Sequence, residues 1–217
     1  MEFLSEGTWY SITWFGDSGF LLPVAAWIAV WLGVRTVTRP IAWRWVVLFG
    51  SAGAVVAASK IAFLGWGIGS AVLNFTGISG HTMLSASIWP VAFWLVAAHW
   101  RPRVRACAAA LGWLFAALIG LSRLAIYAHS KSEVAAGFAL GAAVSAFFLW
   151  RQRHRPPPRL HWVLLLISIV SPLLFLRPGT PAPTQDALGL IAIRLAGIER
   201  PFTRDDLLQR RQRIGID

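Results

Sequence analysis

Acidic residues are scarce in this chain. There are 9 Asp and Glu against 20 Lys and Arg in 217 residues, and between Asp17 and Asp186 the single acidic side chain is Glu133. No acidic cluster of the kind that holds a divalent cation is therefore expected. Cysteine occurs once, at Cys107, which excludes an intrachain disulfide and a cysteine-based metal site; in its apolar run it reads as a small packing residue. No Lys or Arg precedes Arg35, so the N-terminus lacks the basic region of a cleaved signal peptide, and the first apolar segment is expected to remain as a span. Charge of any sign is sparse, at 13%, while 57% of residues are hydrophobic and the mean hydropathy is +0.61. A soluble domain of this size is not so apolar; the composition is that of an all-α integral membrane protein.

Six segments have the roughly 17–20 apolar residues needed to cross the hydrocarbon core: about 19–34, 43–60, 82–99, 105–121, 133–150 and 160–176. Residues 1–18 precede them as an outer segment, and 177–217 follow as a basic tail. Arg35, Arg39 and Arg44 lie between the first two spans. Arg101, Arg103 and Arg105 lie between the third and fourth, and Arg151, Arg153, Arg155 and Arg159 between the fifth and sixth, beside a stiff Pro156-Pro157-Pro158 turn. All three basic loops fall on one side, which the positive-inside rule makes cytoplasmic. The net charge of +11 thus reads as topology and contact with anionic headgroups, not as nucleic-acid binding. The connections Lys60–Gly80 and Arg123–Ser132 then share the outer face. The basic stretch Arg200–Arg213 would by itself favour the cytoplasm, but most of it lies beyond the reach of the rule, so six spans and an outer tail are expected; a short amphipathic helix is expected over Asp186–Ile198. The thirteen Trp read as interface anchors and packing, and His99, His154 and His161 as loop residues without a role.

Ionisable groups at membrane depth are costly and by default functional. Glu133 stands four residues after His129, on one face if a helix starts there. That is a spacing by which a carboxylate can orient an imidazole, although a lone glutamate there also fits a helix-start carboxylate favoured by the dipole. Arg123 lies six residues before His129. On the other outer connection, Asn74-Phe-Thr-Gly77-Ile-Ser79-Gly80-His81-Thr82 leads into an apolar helix. Ser79 is placed to cap it, and a helix N-terminus with free N–H groups suits an anion. His81 sits at its mouth, and Lys60 ends the second span on the same side.

Ser79-Gly80-His81 and Ser122-Arg123-x5-His129-x3-Glu133 resemble the second and third signature motifs of the type 2 phosphatidic acid phosphatase (PAP2) superfamily, Pro-Ser-Gly-His and Ser-Arg-x5-His-x3-Asp. The resemblance runs over about 60–150, and two ordered motifs with matching spacing make it specific. Three departures stand out. The family's first motif is Lys-x6-Arg-Pro, but Lys60 is followed after six residues by Gly67-Ile68. Ile78 replaces the proline of the second motif, and Glu133 the aspartate of the third. The missing arginine removes a bidentate phosphate clamp; Lys131, beside His129, is a candidate to supply charge in its place, as a point charge.

The resemblance implies a six-helix PAP2-type bundle that hydrolyses a lipid phosphate or diphosphate at the outer face, without metal or cofactor. His129 would attack phosphorus and become a phosphohistidine, oriented by Glu133. His81 would protonate the leaving oxygen and then activate water. Lys60, Ser79, Gly80, Ser122 and Arg123 would hold the phosphoryl oxygens. The expected partners are the lipid substrate and the surrounding membrane lipids, and the expected setting is a bacterial inner membrane. Two other readings stay open: a non-catalytic lipid- or partner-binding protein with a decayed site, and a lipid phosphotransferase.

Overall fold

The computed structural model describes residues 5–34, 36–153, 170 and 184–214. Among these the chain is helical, with one isolated β-bridge between Ser70 and Phe75. The helices are α1 (Glu6–Trp14), α2 (Ser18–Val34), α3 (Arg39–Trp66), α4 (Gly80–Val96, extended by a 3₁₀ turn to His99), α5 (Pro102–Ala125), α6 (Lys131–Gln152), α7 (Thr184–Ala196) and α8 (Arg204–Ile214). Five stretches are long and apolar enough to cross a membrane: Glu6–Val34, Arg39–Trp66, Gly80–His99, Pro102–Ala125 and Lys131–Gln152. They contain the first five spans expected from the sequence. The sixth, 160–176, with His161, lies outside the described residues apart from Val170, as does the part of the basic loop before it from His154 onward.

Helix boundaries follow local chemistry. Pro40 and Pro102 occupy the first turns of α3 and α5, where a missing N–H costs nothing. α3 ends at Gly67, whose φ of +66° is the left-handed conformation that glycine adopts without a Cβ penalty.

α4 is the central helix, with 83% of its apolar window buried. It can be central because its neighbours are locally small. A Cβ on Gly112 of α5 would stand 2.5 Å from Pro90 Cα, and one on Gly137 of α6 would stand 2.6 Å from the Ser79 carbonyl oxygen. Close approach of backbones is how helices associate where lipid removes the hydrophobic drive. Buried hydroxyls supplement this packing: Ser145 donates to the Ala86 carbonyl at 2.7 Å and accepts from Trp113 Nε1 at 2.9 Å. An aromatic cluster of Phe15, Phe20, Trp89, Phe93 and Phe115 joins α2, α4 and α5. By contrast α3 and α5 turn large apolar side chains outward, among them Val46, Val47, Val55, Leu111, Leu114 and Leu121, as lipid-facing helices do.

The helices alternate in direction, so the starts of α2, α4 and α6 and the ends of α3 and α5 gather at one end of the bundle. The arginine-rich segments around Arg39 and Arg101–Arg105 lie at the other. α7 and α8 pack at the first end. Phe202 N donates to the Leu64 carbonyl at 2.8 Å, and Thr184 Oγ1 hydrogen-bonds Ser18 Oγ at 3.1 Å.

Candidate active site

α5 closes with Tyr127 at φ +55°, a conformation that costs a bulky residue about 1–2 kcal/mol. The turn it makes is held by the Arg123 carbonyl, which accepts from Ala128 N at 3.1 Å and His129 N at 3.2 Å. This folds His129 back beside Arg123. α6 then starts with a capping box: Ser130 Oγ accepts from Glu133 N, and Glu133 reaches back to Ser130 N at 3.1 Å. The same Glu133 oxygen, Oε2, lies 2.7 Å from His129 Nδ1. Glu133 thus makes both contacts that the sequence left open to it, one to the imidazole and one to the start of its own helix.

The other oxygen, Oε1, accepts from Thr76 N at 2.7 Å, Thr76 Oγ1 at 2.6 Å and Arg204 Nη2 at 2.8 Å. With this many donors a carboxylate can be wholly buried, and Glu133 is 0% exposed. Thr76 belongs to the connection between α3 and α4, which is held to its neighbours at further points. Ile78 N donates to Ser59 Oγ at 3.1 Å, Ser79 N donates to the Glu133 carbonyl at 3.1 Å, and Gly77, at φ +140°, passes so close to Lys60 that a Cβ would stand 3.0 Å from its Cγ.

These elements surround a cavity of about 440 Å³. Lys60, Gly80, His81, Arg123 and His129 line it, with Ser18, Thr76, Gly77 and, from the C-terminal segment, Thr184, Gln185, Phe202, Thr203 and Arg204. Among the described residues that line it, none is Asp or Glu. Lys60 Nζ donates to Gln185 Oε1 at 2.7 Å. Arg123 donates through Nη1 to Thr13 Oγ1 at 3.0 Å, and its buried Nε has no hydrogen-bond partner among the described residues. His81 Nε2 lies 3.4 Å from Asp17 Oδ2, and Asp17 in turn caps α2 by accepting Gly19 N at 2.7 Å. His129 stands in the α5–α6 connection, where burial pushes its imidazole below the usual histidine range. The hydrogen bond to Glu133 opposes that shift, while Arg123 and Lys60 add to it.

Not every residue expected at the site reaches the cavity. Ser79 is fully buried behind it, at the N-cap position of α4, with Oγ 3.0 Å from Thr82 Oγ1 and no side-chain capping bond. Ser122 is also buried and donates to the Ile119 carbonyl at 2.6 Å. Lys131 is exposed at the start of α6 and is not among the lining residues. Among the residues that sequence reasoning did not place here are Asp17, Thr76, Gln185 and Arg204. The scarcity of acids that singled out Glu133 applies equally to Asp17 and could have flagged it. Nothing local marks Arg204 among the many arginines of the tail.

The family model described as PAP2 superfamily matches residues 61–157. A Klebsiella pneumoniae protein described as "Uncharacterized 22.5 kDa protein in cps region" is 46% identical over 202 residues, covering 92% of this chain and 97% of the relative. No solved structure matches.

Proposed function

Since the chain belongs to the PAP2 superfamily, whose members are generally phosphatases acting on lipid phosphates, we propose that it is a membrane phosphatase hydrolysing a lipid phosphate or diphosphate through a phosphohistidine at His129. One observation carries this reading. His129 presents its ring to a cavity bearing Lys60, Arg123 and Arg204 and, among the described residues, no lining carboxylate, while Glu133 engages its Nδ1. Nδ1–H donated to a carboxylate fixes the tautomer in which Nε2 holds the lone pair.

In the first step Nε2 attacks phosphorus. The P–N bond forms as the bond to the leaving oxygen breaks, and His81 gives that oxygen its proton. Glu133 stabilises the cationic ring. In the second step water attacks phosphorus, His81 takes a proton from it, and the P–N bond breaks to free His129 and phosphate. Arg123 and Lys60 balance the charge of the phosphoryl oxygens throughout; the unpartnered Nε of Arg123 is a buried donor that an anion would satisfy. Ser79 and Ser122 act behind the wall of the site, and Gly80 contributes backbone at the start of α4.

The arginine-rich end of the bundle faces the cytoplasm in this reading, and the site faces the outside of a bacterial inner membrane. The acyl or prenyl chain of the substrate lies among the helices with its headgroup in the cavity. The test is phosphate release by the purified full-length protein, in EDTA, from phosphatidate, phosphatidylglycerol phosphate and a polyprenyl diphosphate. A ³²P-labelled, alkali-stable and acid-labile phosphoenzyme is expected, lost in His129→Ala. Release from none of these, with no labelled intermediate, would overturn the reading in favour of a binding protein. Transfer to an added lipid alcohol in preference to water would make the protein a phosphotransferase.

A further inference from the structure

The first motif of this chain lacks its arginine, and the place where that arginine would begin is occupied by the C-terminal segment. A Cβ at Gly67 would meet Phe202 Cδ1 at 3.2 Å and Arg210 Nη1 at 3.0 Å. Arg210 lies over the Phe202 ring at 4.9 Å, and Leu207 is buried beneath. The start of α8 is fixed by its own cap: Thr203 N and Oγ1 both donate to Asp206 Oδ2 at 2.8 Å, and Arg200 grips the same carboxylate through two nitrogens. Arg204 is the first residue of that helix. Its Nη1 donates to the Asn74 carbonyl at 2.9 Å and to Asn74 Oδ1 at 2.6 Å. Its Nη2 donates to Glu133 Oε1 at 2.8 Å and Oε2 at 2.9 Å.

We propose that Arg204 is a positioning residue of the reactive centre, which holds Glu133 between a guanidinium and the His129 imidazole and makes docking of the C-terminal segment part of the site. This inference rests on the phosphohistidine reading for its catalytic consequence only. Both amino groups of Arg204 are engaged by protein acceptors, so its primary task is not to grip phosphate. It instead divides the charge of Glu133. A carboxylate that also pairs with a guanidinium pulls less strongly on the imidazole. The longer side chain of glutamate suits this arrangement, since one carboxylate must meet its own helix start, His129 and Arg204 together. The charged or titratable groups facing His129 are Glu133 from α6, Arg123 from α5, Lys60 from α3, His81 from α4 and Arg204 from α8. Removing Arg204 takes away positive charge and frees Glu133, and both effects favour the imidazolium. Removing the charge of Glu133 does the reverse.

The experiment is titration of ¹⁵N-histidine-labelled full-length protein in detergent, the His129 signal being assigned by its loss in His129→Asn. It is accompanied by pH profiles of phosphate release from phosphatidate. Arg204→Gln should move the His129 titration up by about one pH unit, and Glu133→Gln should move it down. Arg204→Lys, which keeps the charge but not the fork, should fall between Arg204→Gln and wild type. Arg210→Gln, which loses a cation–ring contact with Phe202 but leaves the Arg204–Glu133 pair in place, should leave the titration where it is. Arg204→Gln should also lower kcat by about 10–100-fold, by analogy with loss of the outer partner of a metal-bound histidine. If Arg204→Gln and Arg210→Gln change KM or thermal stability alike and neither moves the His129 titration, Arg204 is only a latch and the proposal is overturned. Should Arg204→Gln fail to fold, an Arg204→Lys titration identical to wild type would overturn it equally. The titration needs no turnover, so an inactive wild type would sink the phosphatase reading and leave this one standing.

Discussion

His129 Nδ1 and Glu133 Oε2 stand 2.7 Å apart across one turn of chain, and the same carboxylate oxygen caps the helix that follows. The cap fixes the carboxylate before any substrate arrives, so the imidazole is oriented by an element of secondary structure and not by a free side chain. In Glu133→Gln the shape is kept and the charge is lost. The chemical step should fall by about 10⁴, as when a triad loses its carboxylate charge, measured as single-turnover phosphate release. Glu133→Asp should retain part of the activity. Wild-type turnover in Glu133→Gln beside a dead His129→Ala would show that Glu133 serves only as a cap.

The pH dependence follows from the burial of His129. A histidine whose pKa is pushed down by burial stays neutral, and hence nucleophilic, below the ordinary value of about 6.5. The acid limb of log kcat/KM should therefore fall off below pH 6.5. In Glu133→Gln the hydrogen bond that opposes the shift is weakened, and the limb should move lower still. An acid limb above 7 would contradict this order of effects.

Asp17 is expected to support His81 as Glu133 supports His129, though at the longer distance of 3.4 Å. Asp17→Asn keeps an oxygen to cap Gly19 and removes the charge that favours a protonated His81. Hydrolysis of a lipid phosphate, whose alkoxide leaves badly, should drop by about 10²-fold. Hydrolysis of p-nitrophenyl phosphate, which hardly needs an acid, should change far less. Equal losses on both substrates would argue that Asp17 matters for folding alone.

Gly137→Ala is expected to damage the site from behind. Its methyl would stand 2.6 Å from the Ser79 carbonyl oxygen, where backbone must yield. Overpacking of this kind costs about 1–3 kcal/mol and should appear as a lower melting temperature in detergent together with reduced turnover. An unchanged melting temperature would mean that α4 and α6 approach less closely than described.

Membrane orientation is testable without any assay of activity. In a Cys107→Ala background, cysteine at Leu73, which is exposed at the site end, should react with an impermeant maleimide in intact cells. Cysteine at Arg103, exposed at the arginine-rich end, should react only after lysis. The reverse pattern would invert the topology.

The sequence by itself determined what depends on neighbours in the chain. Apolar runs and capping residues marked the helices of the described spans, because a membrane leaves the backbone no alternative to internal hydrogen bonding. The separation of four residues put His129 and Glu133 within local reach, but the shared helical face it suggested is not what joins them: His129 precedes the N-cap Ser130, and the capping turn brings Glu133 back to it. Tertiary structure alone decided what comes from a distance. Arg204 meets Glu133 across 71 positions of sequence, and nothing in the periodicity of the tail distinguishes it from the arginines beside it. The charge count left the side of the tail in tension, and docking on Gly67 puts α8 at the site end of the bundle. Lys131, two residues from His129 in sequence, was the natural candidate to replace the missing arginine. The start of α6 turns it outward, and the guanidinium that meets Glu133 comes from the far end of the chain. Proximity in sequence constrains a pair only through the local backbone; which distant side chain fills a buried carboxylate's remaining lone pairs is settled by how the helices pack.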